Sequence, residues 1–346
     1  MTKTVPGLMP DLAAWQQWAD RRRRGVEAVR RAKGRFRPVA EPRAWLWLPR
    51  NAATTLVVID KGTPSCRVAI VEPLRHLDLA RTAVLAPRDL DIDPLEGLGG
   101  AWESRPYDGP ADLPATIGSV LTLGAYLHWS EGAVRWAQAR DVTVHLVQHG
   151  LLTPWSPPAP AGAHVLAWCD SDAEYWTRGR PDVTAQVVGS QMLWAASHEG
   201  RPRITTDRPV MLGQLHGTEL TRRETLTTYL HACAQGEMLY RPHPNEKDAV
   251  SRALHAFMRR RGVEFASTST ALTELTQPVV SIFSTGTLEA AMRGLPAWVS
   301  ATDPPPWVRD FWRRYGLAEW GGEPTPPWRT PDEEPAATLA RAIRGA

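Results

Sequence analysis

Residues 279–299 read VVSIFSTGTLEAAMRGLPAWV, and this stretch decides the fold of the second half of the chain. It starts with an apolar run of strand length, Val279–Phe283, rich in β-branched residues. A turn of small residues follows at Ser284–Thr287 and opens a helical segment. Gly294-Leu295-Pro296 ends that segment and leads into a second apolar run. Strand, turn, helix and strand in this order predict a parallel α/β unit.

The same rhythm of strand-length apolar runs and polar-faced helical segments continues along the chain, so we predict the α/β class. The polar stretch Ser197–Arg208, which contains Gly200 and Pro202, indicates a linker between an N-terminal domain, 1–200, and a C-terminal domain, 201–346. The C-terminal domain is predicted to end in a Pro- and Trp-rich tail and a last helix. The predicted strands are Ala44–Leu48, Arg67–Val71, Thr82–Ala86, Val142–Val147, His164–Trp168, Ala185–Val188, Pro209–Gly213, Glu237–Arg241, Val263–Ala266, Val279–Phe283 and Pro296–Val299.

Composition narrows the class of protein. The 346 residues are 43% hydrophobic and 22% charged, and no apolar run approaches the roughly 18 residues of a membrane span. A secretory leader is not evident, and three well-separated cysteines suggest neither a disulfide framework nor a thiolate metal site. We therefore expect a cytoplasmic protein.

The positive charge is concentrated near the N-terminus, although the net charge is only +3. Apolar residues near helical spacing between Leu12 and Val29, with arginines from Arg21 to Arg37, predict a basic helix. Residues 12–37 could therefore make peripheral contact with an anionic membrane, but a solvated face on a packed helix is the favoured interpretation, because the apolar stripe is short and is broken across Arg21–Arg24. No basic patch interleaved with aromatics continues along the chain, so nucleic acid is not expected as a partner. The oligomeric state is left open.

The turn after Val279–Phe283 is the first candidate site. Ser284, Thr285, Gly286 and Thr287 would open a helix, so that free backbone N–H groups and the positive end of the helix dipole meet a phosphate there. Glu289 would accept hydrogen bonds from ribose hydroxyls. The structural alternative is an ordinary helix N-cap.

The second candidate is the proline-stiffened loop that follows the strand ending at Arg241. His243 could donate a hydrogen bond to a donor phosphate as its bond breaks, and Arg241 could balance the charge of the leaving group. Structurally, the loop would only begin a helix capped by Asn245. Gly213, His216 and Gly217 form a further loop that would face a diphosphate or would be a plain turn.

The third candidate is Gln148-His149-Gly150, which ends a strand in the first half. A neutral imidazole at His149 could remove the proton from an attacking hydroxyl, and Gly150 leaves room for that acceptor. A simple turn explains the same residues. The acidic run Asp89–Asp93 is interpreted as a solvated loop, so no metal is predicted. A dinucleotide fingerprint is missing, and no cofactor is expected.

These motifs occur in the same order in one family. The chain resembles bacterial GT-B transferases of surface polysaccharides, in the branch with CDP-glycerol glycerophosphotransferases, capsule Kdo transferases and bacterial sialyltransferases. The motifs are Gln148-His149-Gly150, Arg241 with His243-Pro244, and Ser284-Thr285 before Leu288-Glu289, within residues 142–299. The resemblance implies a GT-B-like fold, with two Rossmann-like domains whose parallel sheets face across a cleft.

The resemblance also implies roles for particular residues. His243, Ser284 and Thr285 would bind the donor phosphate around a cytidine nucleotide, and His149 would be the base, as in the teichoic-acid enzymes. Ser190 belongs to a segment similar to strand ends that line the family's cleft. Two motifs depart from the family: Ser130-Glu131-Gly132 has one carboxylate where sialyltransferases have two, and Gly189-Ser190-Gln191 is shorter than in the glycerophosphotransferases. Glu131, the nearest equivalent, is kept as an acceptor-side candidate with Gln148, Gly150 and Ser190.

The sequence therefore predicts a metal-independent glycosyltransferase. It would move a sugar from a nucleotide-activated donor, with cytidine favoured, to a hydroxyl of a saccharide or polyol acceptor in surface polysaccharide or glycoconjugate synthesis. The alternatives are a CDP-polyol phosphotransferase of teichoic-acid type, a non-hydrolysing sugar-nucleotide 2-epimerase and a non-catalytic GT-B scaffold. The sequence leaves open the base, the sugar, the acceptor and the stereochemical outcome.

Overall fold

The computed structural model describes residues 7–22, 43–88, 98, 102–217, 219–234, 237–269 and 271–344. The predicted acidic loop Asp89–Asp93 and most of the basic stretch, residues 23–42, lie outside the described residues. Contacts divide the chain into two units. The N-terminal unit comprises 7–150, 154–192 and 331–346, and the C-terminal unit comprises 151–153 and 193–330. The chain thus passes between the units near residue 192, and its last residues belong to the N-terminal unit.

The N-terminal unit contains an eight-stranded sheet in the order β4-β1-β3-β2-β5-β6-β7-β8. Six neighbouring strands are parallel, namely β3, β2, β5, β6, β7 and β8. At one edge, β1 pairs antiparallel with both β3 and β4. The strands are β1 Ala44–Pro49, β2 Thr55–Val58, β3 Thr82–Pro87, β4 Trp102–Tyr107, β5 Ser119–Thr122, β6 Thr143–Val147, β7 His164–Ala167 and β8 Thr184–Val187.

The helices of this unit cover the sheet. Residues 12–22 form α1, and the segment 64–76 forms α2, which starts helical at Pro64–Cys66 and continues through a π turn and a 3-10 turn. The others are α3 His128–Gln138, α4 Asp170–Thr177, α5 Gln191–His198, which carries the chain into the next unit, and α10 Pro335–Arg344. The core combines apolar side chains of the strands with Ile70 and Leu74 of α2 and Leu339 and Ile343 of α10. The C-terminal helix is therefore part of this hydrophobic core.

The apolar side of α1 packs inside its own unit. Trp15 is buried and its indole N–H donates to the carbonyl of Trp155 at 2.8 Å, while Trp18 stacks on Trp155. These tryptophans account for the apolar spacing of the helix by ordinary core packing. A membrane contact by residues 12–37 stays a prediction.

The C-terminal unit contains a four-stranded parallel sheet in the order β10-β9-β11-β12. Single parallel bridges add Phe265 beside β10 and Glu319 beside β12. The elements are β9 Val210–Leu212, α6 Arg222–Ala232, β10 Leu239–Arg241, α7 Ala249–Arg260, β11 Val279–Ser281, α8 Thr285–Met292, β12 Ala297–Val299 and α9 Pro306–Arg314. When the bridged segments at Phe265 and Glu319 are counted as strands three and six, the order is the doubly wound 3-2-1-4-5-6. The strands after β9 are added first on one side and then on the other, so the switch point lies between β9 and β11.

Two of the predicted strands are wrong. Arg67–Val71 is helical, because Pro64 favours the first turn of a helix and Cys66, Ile70 and Leu74 are buried at a spacing of four residues. Its run of Val and Ile suggested a strand, but the buried set has the helical period. Val263–Ala266 contributes only the bridge between Tyr240 and Phe265. The strands β2, β4 and β5 were not predicted, since β2 and β5 have only four residues and β4 is mostly exposed and polar.

In the part of the chain that the structure describes, no helix is long and apolar enough to cross a membrane.

Candidate functional site

The first predicted motif lies at the switch point of the C-terminal sheet, between β9 and β11. Leu212 ends β9 and Ser281 ends β11, and the two strands are neighbours with the same direction. In open parallel sheets, ligands bind at the carboxyl ends of the strands beside such a switch point. The loop after β9 is joined directly to the turn after β11, because the Phe283 N–H donates to the Gln214 side-chain oxygen at 3.2 Å.

Ser284 and Thr285 form the helix start predicted from the sequence. Ser284 is the N-cap of α8, and its Oγ accepts from the Gly286 N–H at 3.1 Å. The Thr285 hydroxyl oxygen accepts from the Leu151 N–H at 3.3 Å. Both oxygens act as acceptors, so both hydroxyl protons can be donated to a ligand. The Thr285 N–H is at the first helical position, where no intrahelical acceptor exists.

Thr287 and Gly286 have a structural role in the same turn. Thr287 is fully buried, and its hydroxyl pairs with the Ser281 hydroxyl at 2.7 Å. A Cβ on Gly286 would come within 2.8 Å of the Leu272 side chain and 3.0 Å of the Leu212 side chain. The small residues therefore allow α8 to pack closely on β9, and the hydroxyls facing a ligand are those of Ser284 and Thr285.

Glu289 lies on α8 and is only 9% exposed. Burial raises the pKa of its carboxyl to about 7, partly offset by the Arg293 guanidinium, while Glu199 adds to the rise. A carboxyl near half-protonation at neutral pH can both accept and donate a hydrogen bond to a diol. The predicted contact with ribose hydroxyls stays a prediction.

Glu289→Gln is expected to change the pH dependence of stability of the C-terminal unit. The folded carboxyl holds its proton up to about pH 7, whereas the unfolded one loses it near 4.5. The folded state therefore binds a proton that the unfolded state lacks between these two pH values. The stabilisation from this proton is fully present below pH 4.5 and is lost by about pH 7, where the free energy of unfolding is lower by about 3 kcal/mol. Urea unfolding at several pH values, with hydrogen exchange of the α8 amides, measures it. Exposed Glu237→Gln is the control, and an unchanged slope in Glu289→Gln would contradict the expectation.

In the Gly213–Gly217 loop, the group available to a ligand is a side chain and not a set of backbone amides. Its N–H groups are largely used by the protein itself, and Gly213 could not carry a side chain, because a Cβ would lie 2.5 Å from the Tyr240 hydroxyl. The bonds run from Gly213 to the Arg241 carbonyl (2.7 Å), Gln214 to the Tyr229 hydroxyl (2.7 Å), Leu215 to Glu246 Oε1 (2.9 Å) and Gly217 to the Gln214 carbonyl (3.0 Å). The imidazole of His216 is the group left for a ligand.

The structure brings His216 and His243 together. Their rings stack at 3.9 Å between centroids with planes 22° apart. Burial lowers the pKa of both, to about 4 for His216, so both are neutral at pH 7. The Asn245 N–H donates to His243 Nδ1 at 3.1 Å, which assigns the ring proton to Nε2. His243 is therefore set to donate from Nε2 to an anionic oxygen without being charged itself.

Arg241 ends β10 one residue before the His-Pro loop. Its guanidinium donates to the Ser267 carbonyl at 2.9 Å, and burial lowers its pKa. Even so, an arginine keeps its charge in proteins. Arg241 thus supplies positive charge near the carboxyl end of β10, as the sequence suggested.

In the N-terminal unit, three predicted residues line one small cavity. Gln148 and His149 follow β6, and Ser190 follows β8, at the carboxyl ends of parallel strands. The cavity is about 20 Å³, enough for one water molecule, and α2, α10 and residues at the ends of β6, β7 and β8 contribute the rest of its wall, which is mostly apolar. A saccharide would require α10 or the loop after β8 to move. Gly189 resists a side chain here, since it has φ of +87° and a Cβ would lie 3.1 Å from Pro335.

Gln148 acts through its hydrogen bonds within the protein. It is 2% exposed, and its amide donates to Asp172 at 2.6 Å and to the Gly150 carbonyl at 3.0 Å. Its side-chain oxygen accepts from the Trp168 N–H and the Trp176 indole. These bonds fix the loop that carries His149 and bind Gly150 to it, and leave Gln148 little capacity for an acceptor molecule.

His149 has the protonation state that a general base needs. Burial lowers the pKa of its imidazole; a hydrogen bond with the Val147 backbone opposes this, and the positive charge of Lys61 adds to it. The ring is therefore neutral at pH 7 and one nitrogen is unprotonated. A neutral imidazole can take a proton from a hydroxyl.

Gly150 and Glu131 are the predicted residues of this unit that do not line the cavity. Glu131 lies in the first turn of α3, 41% exposed, and pairs with Arg135 at 3.3 Å. That pair is an ordinary helix-surface contact. The carboxylate at the start of α3 is instead Asp60, which accepts from the Trp129 and Ser130 N–H groups.

Sequence reasoning missed Asp60 and Lys61 because it missed β2. They follow β2 at the switch point of the N-terminal sheet, between β2 and β5. Glu246 and Tyr229, which hold the Gly213–Gly217 loop, were also missed. The signal for Asp60 was an acidic residue directly after the apolar run 56–59, whereas nothing in the sequence distinguishes Glu246 from an exposed glutamate.

Together the units define an α/β protein with one large, mostly parallel sheet and a second parallel sheet, each with polar side chains at the carboxyl ends of its strands. No protein-family model matches the chain, and a search of curated proteins finds no significant relative. Among the described residues, no group of three or more His, Cys, Asp or Glu side chains is placed to hold a metal ion.

Proposed function

We propose that this chain is a GT-B-type glycosyltransferase that moves a sugar from a nucleotide-activated donor, with cytidine favoured, to a hydroxyl acceptor in surface polysaccharide or glycoconjugate synthesis. The observation that carries the proposal is the turn at Ser284 and Thr285, at the switch point of the C-terminal sheet. It offers two hydroxyl donors, a free helix-terminal amide and the positive end of a helix dipole.

Stabilisation of the leaving phosphate comes from neutral donors and one cation. His243 donates from Nε2, and Ser284 and Thr285 donate from their hydroxyls. Arg241 adds positive charge near the same strand ends. Preorganised donors aimed at developing charge are among the largest contributions to catalysis. The proposal includes no cofactor, because the activated donor is itself a substrate.

His149 is the base in this mechanism. It takes the proton of the acceptor hydroxyl, whose oxygen forms a bond to the anomeric carbon of the donor. The bond between that carbon and the phosphate oxygen breaks, and its electron pair leaves with the nucleotide. A polyol-phosphate transfer would use the same base, with attack on phosphorus instead.

The 2-epimerase alternative needs carboxylates that converge on a sugar ring. The described residues that line the cavity beside His149 include no Asp or Glu. This observation favours the transferase. A scaffold without catalysis remains the outcome if nucleotide binds without turnover or if no nucleotide binds.

Nucleotide binding tests the donor side. We expect the wild-type protein to bind CMP or CDP more tightly than UDP or GDP in calorimetric titrations. His243→Ala and Ser284→Ala should each weaken binding roughly 10- to 100-fold, since a hydrogen bond to a charged phosphate contributes about 1.5–3 kcal/mol.

His231→Ala is the matched control, because His231 is an exposed histidine of the same unit. Its affinity should equal that of the wild type. A preference for uridine or guanosine would overturn the cytidine assignment. The absence of binding by all four nucleotides would overturn the proposed function.

A further inference from the structure

A buried carboxylate underlies the loops that carry the two stacked histidines. The Glu246 side chain is 0% exposed. Its Oε1 accepts from the Leu215 N–H at 2.9 Å, and its Oε2 accepts from the Tyr240 hydroxyl and from His255 Nε2, both at 2.8 Å. A buried carboxylate with several strong donors is held firmly, and it also holds the groups that donate to it.

Glu246 is linked to the loops of both histidines. On one side it binds the N–H of Leu215, the residue before His216. On the other it lies three residues after His243, and its own N–H donates to the His243 carbonyl at 2.9 Å. One side chain therefore connects the loop after β9 with the loop after β10.

The hydrogen-bond connection extends to the turn at Ser284 and Thr285. Tyr229 is fully buried and its hydroxyl accepts from the Gln214 N–H at 2.7 Å. The Gln214 side chain in turn accepts from the Phe283 N–H, directly before Ser284. Movement of the Gly213–Gly217 loop would thus shift both His216 and an anchor of the Ser284 turn.

The loop fits closely over this carboxylate. A Cβ on Gly213 would lie 2.7 Å from Glu246 Oε1 and 2.5 Å from the Tyr240 hydroxyl. The backbone therefore approaches the carboxylate as closely as a glycine allows. Such packing leaves the loop one position while the network is intact.

We propose that Glu246 is a positioning residue of the donor site, which fixes His216, His243 and the Ser284 turn relative to one another so that they bind one nucleotide phosphate. The assignment rests on the proposed function. Glu246 does not touch the ligand. It acts through Leu215 and the His243 loop.

Glu246→Gln tests this assignment with little change of shape. The three groups on the carboxylate are all donors, and a glutamine replaces one acceptor oxygen with an NH₂ group. We expect hydrogen exchange at the Leu215 amide to accelerate at least 10-fold. CMP affinity should fall about 10-fold in calorimetry. Tyr240→Phe removes one donor while keeping the ring, and should show both effects to a smaller extent.

Met258→Ala separates positioning from general loss of stability. Met258 is buried in α7, the helix of His255, and has no polar bond to the network. This variant should lower the melting temperature while CMP affinity and Leu215 exchange stay at wild-type values.

The outcomes distinguish two failures. A wild type that binds no nucleotide overturns the proposed function and this role with it. If the wild type binds, unchanged CMP affinity in Glu246→Gln overturns the positioning role alone. An equal loss of affinity in Met258→Ala overturns it too. Should Glu246→Gln fail to fold, Tyr240→Phe gives the deciding comparison with Met258→Ala.

Discussion

Replacement of His149 by alanine is expected to lower the transfer rate roughly 10²- to 10⁴-fold, the usual contribution of a general base. Nucleotide affinity should stay within about twofold of wild type, because His149 lies in the N-terminal unit and the proposed phosphate donors lie in the C-terminal unit. Single-turnover kinetics with a cytidine-activated sugar, together with calorimetry, separates the two effects.

The pH profile gives an independent check on His149. Burial lowers the pKa of the imidazole, so the base form persists below pH 6.5 and the transfer rate should fall only at lower pH. His164→Ala, at the amino end of β7 and so opposite to the cavity, is the control and should keep the wild-type rate. Equal loss of nucleotide binding in His149→Ala, His243→Ala and Ser284→Ala would show that the roles are wrongly divided.

His145→Leu is expected to make the N-terminal unit much less sensitive to acid. His145 is fully buried in β6, and neither ring nitrogen has a hydrogen-bond partner among the described residues. Burial, and secondarily the charge of His164, lowers its pKa to about 4. Leucine has a similar volume and no unsatisfied nitrogen, so the variant should be at least as stable at pH 7.

Unfolding exposes His145 to water, so the unfolded state takes up a proton at a higher pH than the folded state does. Between pH 6.5 and about 4 the unfolded state holds a proton on His145 that the folded state does not. Stability is therefore complete above pH 6.5 and falls by about 3 kcal/mol as the pH drops to 4. Denaturant unfolding from pH 7 to 4, with hydrogen exchange of the β6 amides, should show this loss in wild type and not in His145→Leu. Exposed His128→Leu, in the same unit, is the control, and an equal acid loss in both variants would contradict the assignment.

Most strands of the fold were predictable because their apolar runs are long and continuous. β11 is an example, since it is fully buried in a parallel sheet and its first two residues are valines, and the apolar residues of β6 indicate a strand although His145 lies among them. Arg67–Val71 was predicted as a strand because it is rich in Val and Ile, although the four-residue spacing of the buried side chains is that of a helix. β2 was missed because it is short and begins with a polar residue, so that the apolar run 56–59 gives only a weak signal.

The candidate site was predictable only in part. Ser284 as a helix N-cap follows from local chemistry, since a short hydroxyl side chain satisfies the amides of the first turn. The pairing of His216 with His243 could not be predicted, because it depends on β9 and β10 being neighbours. Glu131 was assigned to the acceptor side because Ser130-Glu131-Gly132 partly matches a family motif, and such a short match does not show which way a helix face points.

By itself the sequence determined the parallel α/β class, the strand-turn-helix at 279–299 and the chemistry available at each loop, because these depend on residues close together in the chain. Tertiary structure alone decided which loops share a strand edge, which hydroxyls remain free to donate and which titratable groups lose water. Those properties depend on strand order and burial between distant segments. Glu246 shows the difference, since it becomes a buried hydrogen-bond acceptor only when β9, β10 and α7 come together around it.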